Sequence, residues 1–337
     1  MGTARHESGS GGDGLRTSLC DLLGVEFPII QAGIGIGMGS SAELAVAVSE
    51  AGGLGSLGCW RRPPADVERQ LSIIRERTSR PFAMNHLVPE LDETAFAMTI
   101  AARPPVISFA LGDPGDLVDR AHDAGSLVVH QVTTVDQARE AVERGVDVII
   151  AQGGEAGGYG GQVATFALVP QVVDAVRPVP VVAAGGVADG RGLAAALLLG
   201  AVGVNVGTRF VASEEAQIHP RWKQMIVEGA AEDAVRVEVL NDIMPMPGAY
   251  GYGTVLRALR TPFIDTWRNR RAEARREVER LRPEVLSVFT QRGVHELLPG
   301  AGQDAGLIHD IQPAGEIVRR MVAEAREALQ RSRELFT

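Results

Sequence analysis

Between Ser18 and Phe210 a short apolar run, a small-residue turn and an amphipathic helical segment recur about every 20 to 30 residues. That period restricts the fold more than any other feature of the chain. The strands it predicts are Pro28–Gln31, Gly53–Leu57, Phe82–Asn85, Val106–Ala110, Leu127–Gln131, Val148–Gln152, Val179–Ala184 and Val202–Val206. Helical segments are predicted between them, near Ala42–Ala51, Ala65–Arg77, Glu93–Ala102, Asp116–Ala124, Val135–Glu143, Phe166–Val176 and Gly192–Leu199. Eight strands alternating with helices predict an α/β architecture, a closed (β/α)8 TIM barrel, because open doubly wound sheets usually carry fewer strands.

After Phe210 the pattern changes. Residues 214–231 and Pro262–Leu281 read as helices, Val235–Tyr252 as irregular and rich in Met, Pro and Gly, and 314–337 as a final helix. The expected organisation is a disordered tail over 1–17, a barrel over 18–213, a helical and irregular insertion over 214–300, and a C-terminal segment, 301–337, that returns to the barrel. The insertion is either a lid over the barrel mouth or an outer helical layer.

Composition narrows the partners. A net charge of −9 with no Lys/Arg block gives nucleic acid and anionic membranes no surface to bind, so a small-molecule substrate is expected. Cys20 and Cys59 are too few for a disulfide framework or a cysteine-rich metal site. No apolar run approaches the roughly 20 residues of a membrane span, and the first 16 residues show no signal-peptide core, so a cytoplasmic protein is expected. Self-association into a homo-oligomer is left open.

Barrels of this kind carry their chemistry at the C-terminal ends of the strands. The residues at or just past those ends here are Gln31, Asn85, Gln131, Gln152, Gly185, Gly186, Gly207 and Thr208. After Gln152 come six glycines in nine residues, Gly153, Gly154, Gly157, Gly158, Gly160 and Gly161, around Glu155, Ala156 and Tyr159. Ordering so many glycines is costly, and close backbone approach to something flat or anionic accounts for it better than a flexible linker. The turns at Gly185-Gly186 and Asn205-Val206-Gly207-Thr208 follow the last two strands, where such barrels hold phosphate; the competing reading is that the glycines only make tight turns. Arg209 pairs either with that phosphate or with a surface carboxylate. The amides of Asn85, Gln131 and Gln152 both donate and accept, which suits the pyrimidine edge of an isoalloxazine; singly, each is equally well explained by buried loop backbone.

Several of these stretches together resemble one family. Gln31-Ala32, Ala45–Leu57, Pro81–Asn85, Ala151–Gly158, Ala183–Gly186, Gly207-Thr208-Arg209-Phe210 and Ala301–Val318 are similar to the nitronate monooxygenases, a family that also includes flavin-dependent enoyl reductases. The resemblance implies FMN on the barrel, with Ala32, Gly33, Ile34, Asn85, Gln152, Gly157, Gly186, Asn205, Val206, Gly207 and Thr208 at cofactor-binding positions. The residue reading adds Gln131, Gly158 and Gly185. Two departures stand out: Gly33 occupies a position where the family commonly has proline, and Tyr159 stands where the resemblance implies a catalytic histidine. A phenol is a poor general base at neutral pH but can donate to a developing oxyanion.

Tyr159 is therefore the first candidate catalytic residue. His130, one residue before Gln131, is the second, against the competing reading that it and His86 are ordinary buried histidines. His122, His219, His295 and His309 lack paired metal-ligand spacing, so no metal is expected, and Cys59 is expected to be structural. The reaction that this reading puts first is oxidation of alkyl nitronates by O2 to a carbonyl compound and nitrite. A nitronate is already a carbanion equivalent and needs no base. The alternative is an NAD(P)H-dependent reductase of an activated alkene or enoyl thioester, for which the apolar Met244–Tyr252 would line a larger pocket. A third reading is an FMN-binding protein without turnover.

Overall fold

The computed structural model describes residues 15–34, 39–245, 253–290 and 293–334. Residues 1–14 of the tail expected over 1–17, the glycine-rich 35–38 and residues 246–252 lie outside the described residues. Eleven strands among the described residues are numbered in chain order. Eight parallel ones build a barrel: β1 Ile29–Gln31, β2 Gly55–Gly58, β3 Phe82–Leu87, β4 Val106–Ala110, β5 Leu127–Val132, β6 Val148–Gln152, β8 Val181–Ala184 and β9 Gly203–Val206. The other three, β7 Gly158–Gly160, β10 Ala234–Arg236 and β11 Val255–Leu259, form a separate sheet.

Neighbours in the barrel run β1-β9-β8-β6-β5-β4-β3-β2. The ring closes at Ile30 and Leu54, where Gln31 N–H donates to Leu54 O at 2.9 Å and Leu54 N–H to Ile29 O at 2.9 Å. Side chains alternate along each strand. Ala83, Val129 and Ile150 fill the lumen, and the residues two further on, Asn85, Gln131 and Gln152, carry the same face to the C-terminal mouth. The residues between them point outward to the helices.

Ser41, Asp92 and Thr134 cap the helices Ala42–Glu50, Glu93–Ala102 and Val135–Glu143 by accepting from first-turn N–H groups. Leu44, Val48, Phe96 and Ala138 bury this layer against the barrel, each of the larger ones contributing about 1.5–3 kcal/mol. The last helix, Ala314–Glu334, packs on Gly190–Leu198. A Cβ at Gly190 would lie 2.3 Å from the Ala325 nitrogen and 2.4 Å from the Met321 oxygen, so the contact requires glycine.

The insertion differs from its sequence reading. Val235–Tyr252 is not irregular throughout: β10 opens it and the helix Glu238–Ile243 follows. The expected helix Pro262–Leu281 is broken into Pro262–Trp267, Arg271–Arg276 and Val278–Thr290. Trp222, Ile226, Leu240, Leu256, Ile264 and Trp267 give this region its own apolar cluster. The three-stranded sheet joins it to the glycine loop, because β7 pairs antiparallel with β11 through Tyr159 and Leu256.

Candidate active site

A cavity of about 240 Å3 opens at the C-terminal mouth of the barrel. It gathers Ala32, Gly33, Ile34, Asn85, Gln131, Gln152, Gly157, Gly158, Tyr159, Gly185, Asn205, Gly207 and Thr208. Three expected residues do not reach it. Val206 alternates outward into the core between barrel and helices, Gly186 turns toward the Glu155 side chain, and His130 points away because its neighbours Val129 and Gln131 point in.

His130 is wholly buried, and neither ring nitrogen has a well-formed hydrogen bond, although the backbone of Phe109 and Gly112 lies close. Burial pushes its pKa down to about 4. It is not among the residues that line the cavity. His86 shares its parity and its fate. Its Nε2 meets Thr99 Oγ1 at 3.0 Å, its ring stands edge-on to Phe96, and burial pushes it down to about 4. No imidazole lines the cavity among the described residues. Cys59 is buried outside it, its thiol pushed up to about 12 by burial. His219 stacks on His295 with centroids 3.8 Å apart, but no metal-holding group of three ligands exists among the described residues.

Several buried polar atoms on the cavity wall lack partners. Ser56 Oγ, Gln152 Oε1 and Asp304 Oδ1 are all shielded from water and unpaired within the protein, a costly state that a bound polar group would relieve. Asn85 is held in place, its Nδ2 donating to Ser108 Oγ at 2.8 Å. Gln31 is committed to the wall, its Oε1 accepting from Ser56 N–H at 2.8 Å. A Cβ at Gly33 would come within 2.3 Å of the Asn85 side chain, which is the local reason for glycine there.

The glycine loop answers to two demands. Gly153, Gly157 and Gly161 are forced by protein packing: a Cβ would fall 2.0 Å from Thr165 Oγ1, 2.5 Å from the Ala301 backbone and 2.7 Å from Thr133 Cβ respectively. Only Gly158, with φ of +73° and open space beside it, faces the cavity without such a constraint. Across the cavity a Cβ at Gly207 would meet only Ala32 Cβ, at 3.7 Å, whereas Gly185, at φ +98°, is set by packing, a Cβ there lying 3.0 Å from Ala156 N, Gly153 O and Thr165 Oγ1. Amides at one end and glycine turns at the other fit FMN, the turns lying where a phosphate would sit beside Thr208.

Asp304, on the turn Gln303–Leu307, is the unexpected member of that end. Burial pushes its carboxyl up to about 7 against the opposing effect of the Thr208 hydroxyl, so near neutrality the protonated and ionised forms are both populated. Thr208 in turn accepts from Gly302 N–H at 2.9 Å, tying the C-terminal segment to the site. Arg209 faces the other way. It is buried and donates to Asp310 Oδ1, Asp310 O and Ala212 O, each at 2.8 Å.

At the rim, Glu90 accepts from Trp60 Nε1 at 2.6 Å and from Arg61 at 2.8 and 3.0 Å. Burial opposes ionisation, but those donors hold Glu90 below the usual carboxylate range. Arg61 adopts φ of +51°, a strained conformation for a side chain. Trp60, Ala110 and Leu111 pack together against Tyr159. The remaining wall, Trp222, Leu240, Met244, Leu256 and Leu298, comes from the insertion. Sequence reasoning missed Ser56 and Ser108, although each lies two residues after a lumen residue, Leu54 and Val106, and parity would have found them. Met244 was expected at the pocket; Asp304, Glu90, Trp222, Leu240, Leu256 and Leu298 carry no such signal.

The fold and site define a (β/α)8-barrel enzyme with its chemistry at the strand C-termini. The chain belongs to the nitronate monooxygenase family, whose model matches residues 16–100 and 92–324, and it is an oxidoreductase. It is 32% identical to the Mycobacterium tuberculosis (3aS,4S,5R,7aS)-5-hydroxy-7a-methyl-1-oxo-octahydro-1H-indene-4-carboxyl-CoA dehydrogenase, over 94% of this chain and 98% of that one. Among solved structures it is similar to FabK from Thermotoga maritima, at a TM-score of 0.85 and 34% identity over 95% of this chain and 99% of that one. A nitroalkane oxidase from Streptomyces ansochromogenes superposes at a TM-score of 0.79 with 26% identity, over 93% and 99% of the two chains.

Proposed function

We propose that the protein binds FMN across the barrel mouth and transfers electrons between NAD(P)H and a conjugated acyl thioester. The observation that carries this reading is the apolar wall that Trp222, Leu240, Met244 and Leu256 add to the cavity, which a small nitronate would not need. The dehydrogenase relative, named for a carboxyl-CoA, supports it across almost the whole chain.

FMN, when bound, would supply two-electron chemistry between the two substrates. The protein's part is to hold and to polarise. Asn85, Gln131 and Gln152 offer both donors and acceptors to the ring edge, while the turns at Gly185 and Gly207-Thr208 receive the phosphate. Tyr159 donates a hydrogen bond from its hydroxyl to the thioester carbonyl oxygen as negative charge gathers there. The insertion wall excludes water and strengthens that interaction.

The second reading is oxidation of alkyl nitronates by O2, which the sequence resemblance put first. It is favoured by the same Tyr159 donor, which suits a nitronate oxygen, and by a cavity without imidazole, since a preformed nitronate needs no base. One set of measurements separates the two. The purified protein should show oxidised-flavin bands, and anaerobic NADH or NADPH should bleach them, with reoxidation by an enoyl thioester. Failure of both nucleotides to bleach the flavin removes the reductase. Aerobic turnover of preformed nitronates no faster than with free FMN removes the monooxygenase, and both failures together leave an FMN-binding protein without turnover.

A further inference from the structure

We propose that Arg236 and Arg257 form a second anion site, behind the glycine loop, that takes a phosphoryl group. The inference stands apart from the choice of reaction. The loop that lends Ala156–Tyr159 to the large cavity lends Gly154, Glu155 and Gln162 to a separate hollow of about 370 Å3, completed by Ala164, Gln303 and the two arginines.

The two guanidinium groups stand on directly opposed residues of the antiparallel pair β10 and β11. Like charges in that position repel, and both side chains are half-buried. Their partners are carbonyls, not carboxylates. Arg257 donates from Nε to Gly154 O at 2.9 Å and from Nη1 to Ala234 O, and Arg236 donates from Nη1 to Gly161 O. Arg236 Nη2 is buried with no partner. The nearby carboxylates hydrogen-bond elsewhere, Glu155 accepting from Thr165 N–H and Oγ1 at 2.8 and 2.9 Å and Glu238 pairing with Arg271 at 3.0 Å, although their charges still favour the charged forms of Arg257 and Arg236 respectively. Burial holds both arginines below their usual range, and for Arg257 the charge of Arg236 adds to the effect. Two desolvated cations lining one hollow are stabilised by a dianion between them, which planar guanidinium groups bind through paired hydrogen bonds.

Three sources share this chemistry: free phosphate, the phosphates of a pyridine nucleotide, and those of coenzyme A. The test is isothermal titration of the full chain, saturated with FMN, with inorganic phosphate, 2′,5′-ADP and coenzyme A in turn. At least one should bind at one per chain, and Arg236→Gln should weaken it about tenfold or more without loss of FMN. The tightest probe identifies the source. Because a substitution could disturb the loop, the wild-type melting temperature is compared in phosphate and in chloride at equal ionic strength, and a rise in phosphate is expected. The proposal is overturned if no probe binds and phosphate does not raise the melting temperature. It is equally overturned if Arg236→Gln and Arg257→Gln both bind every probe as the wild type does.

Discussion

At the scale of single residues, two side chains can be tested against the chemistry assigned to them. Tyr159 packs on Trp60 and Leu111 with a hydroxyl as its only polar atom. Tyr159→Phe should keep FMN bound and lower kcat by about 10²-fold if the hydroxyl meets an oxyanion in the transition state. Unchanged kcat and kcat/KM on the true substrate would reduce Tyr159 to packing. Asp304 makes a prediction about pH. Its folded carboxyl holds its proton up to about 7, above its unfolded range, so the unfolded chain binds fewer protons through that window. The FMN-free protein should accordingly lose stability as pH rises from roughly 4 to 7 and then level off. Asp304→Asn should flatten that slope and melt higher than wild type at pH 8. Parallel melting curves for the two proteins at pH 5 and pH 8 would show that the carboxyl does not carry the effect.

At the scale of elements, glycine positions divide into those set by packing and those left open to a ligand. Gly190 belongs to the first kind. It begins the helix Gly190–Leu198 with the Asp189 side chain as cap, a conformation alanine adopts freely, so Gly190→Ala would by backbone entropy alone stabilise by about 0.4–1 kcal/mol. The 2.3 Å approach to Ala325 reverses the sign: the C-terminal helix must move, at about 1–3 kcal/mol. A gain in chemical-denaturation stability would contradict this packing argument. The strand β7 was not legible beforehand. Gly-Tyr-Gly has no strand pattern of its own, and it becomes a strand because β11, about a hundred positions later, offers it hydrogen-bonding groups, as context overrides propensity in sheets. The three helices of the insertion, Pro262–Trp267, Arg271–Arg276 and Val278–Thr290, bury Trp267, Ala274 and Leu281 in one cluster.

At the scale of the whole molecule, Arg209 holds the returning C-terminal segment to the barrel. It is 2% exposed, and its three bonds of 2.8 Å reach across to Asp310 and back to Ala212. Arg209→Gln should cost about 1.5–3 kcal/mol of unfolding free energy, read from urea denaturation. A loss under about 0.5 kcal/mol would mean that the helix Ala314–Glu334 docks without it. The barrel itself was legible because its signal is local and repeated: the strands read from sequence differ from those observed by a residue or two, at ends such as Pro180 where no N–H is available to a ladder. Lumen parity carried Asn85, Gln131 and Gln152 to one mouth for the same reason. The same rule, applied without exception, would have excluded His130 and admitted Ser56 and Ser108. What sequence alone determined is therefore whatever follows from periods of 2 and 3.6 and from turn chemistry. Only the tertiary structure decided the other half of the cavity, Trp222, Leu240 and Asp304, and the separate pairing of Arg236 with Arg257, because segments far apart in the chain meet there through buried contacts that no local pattern records.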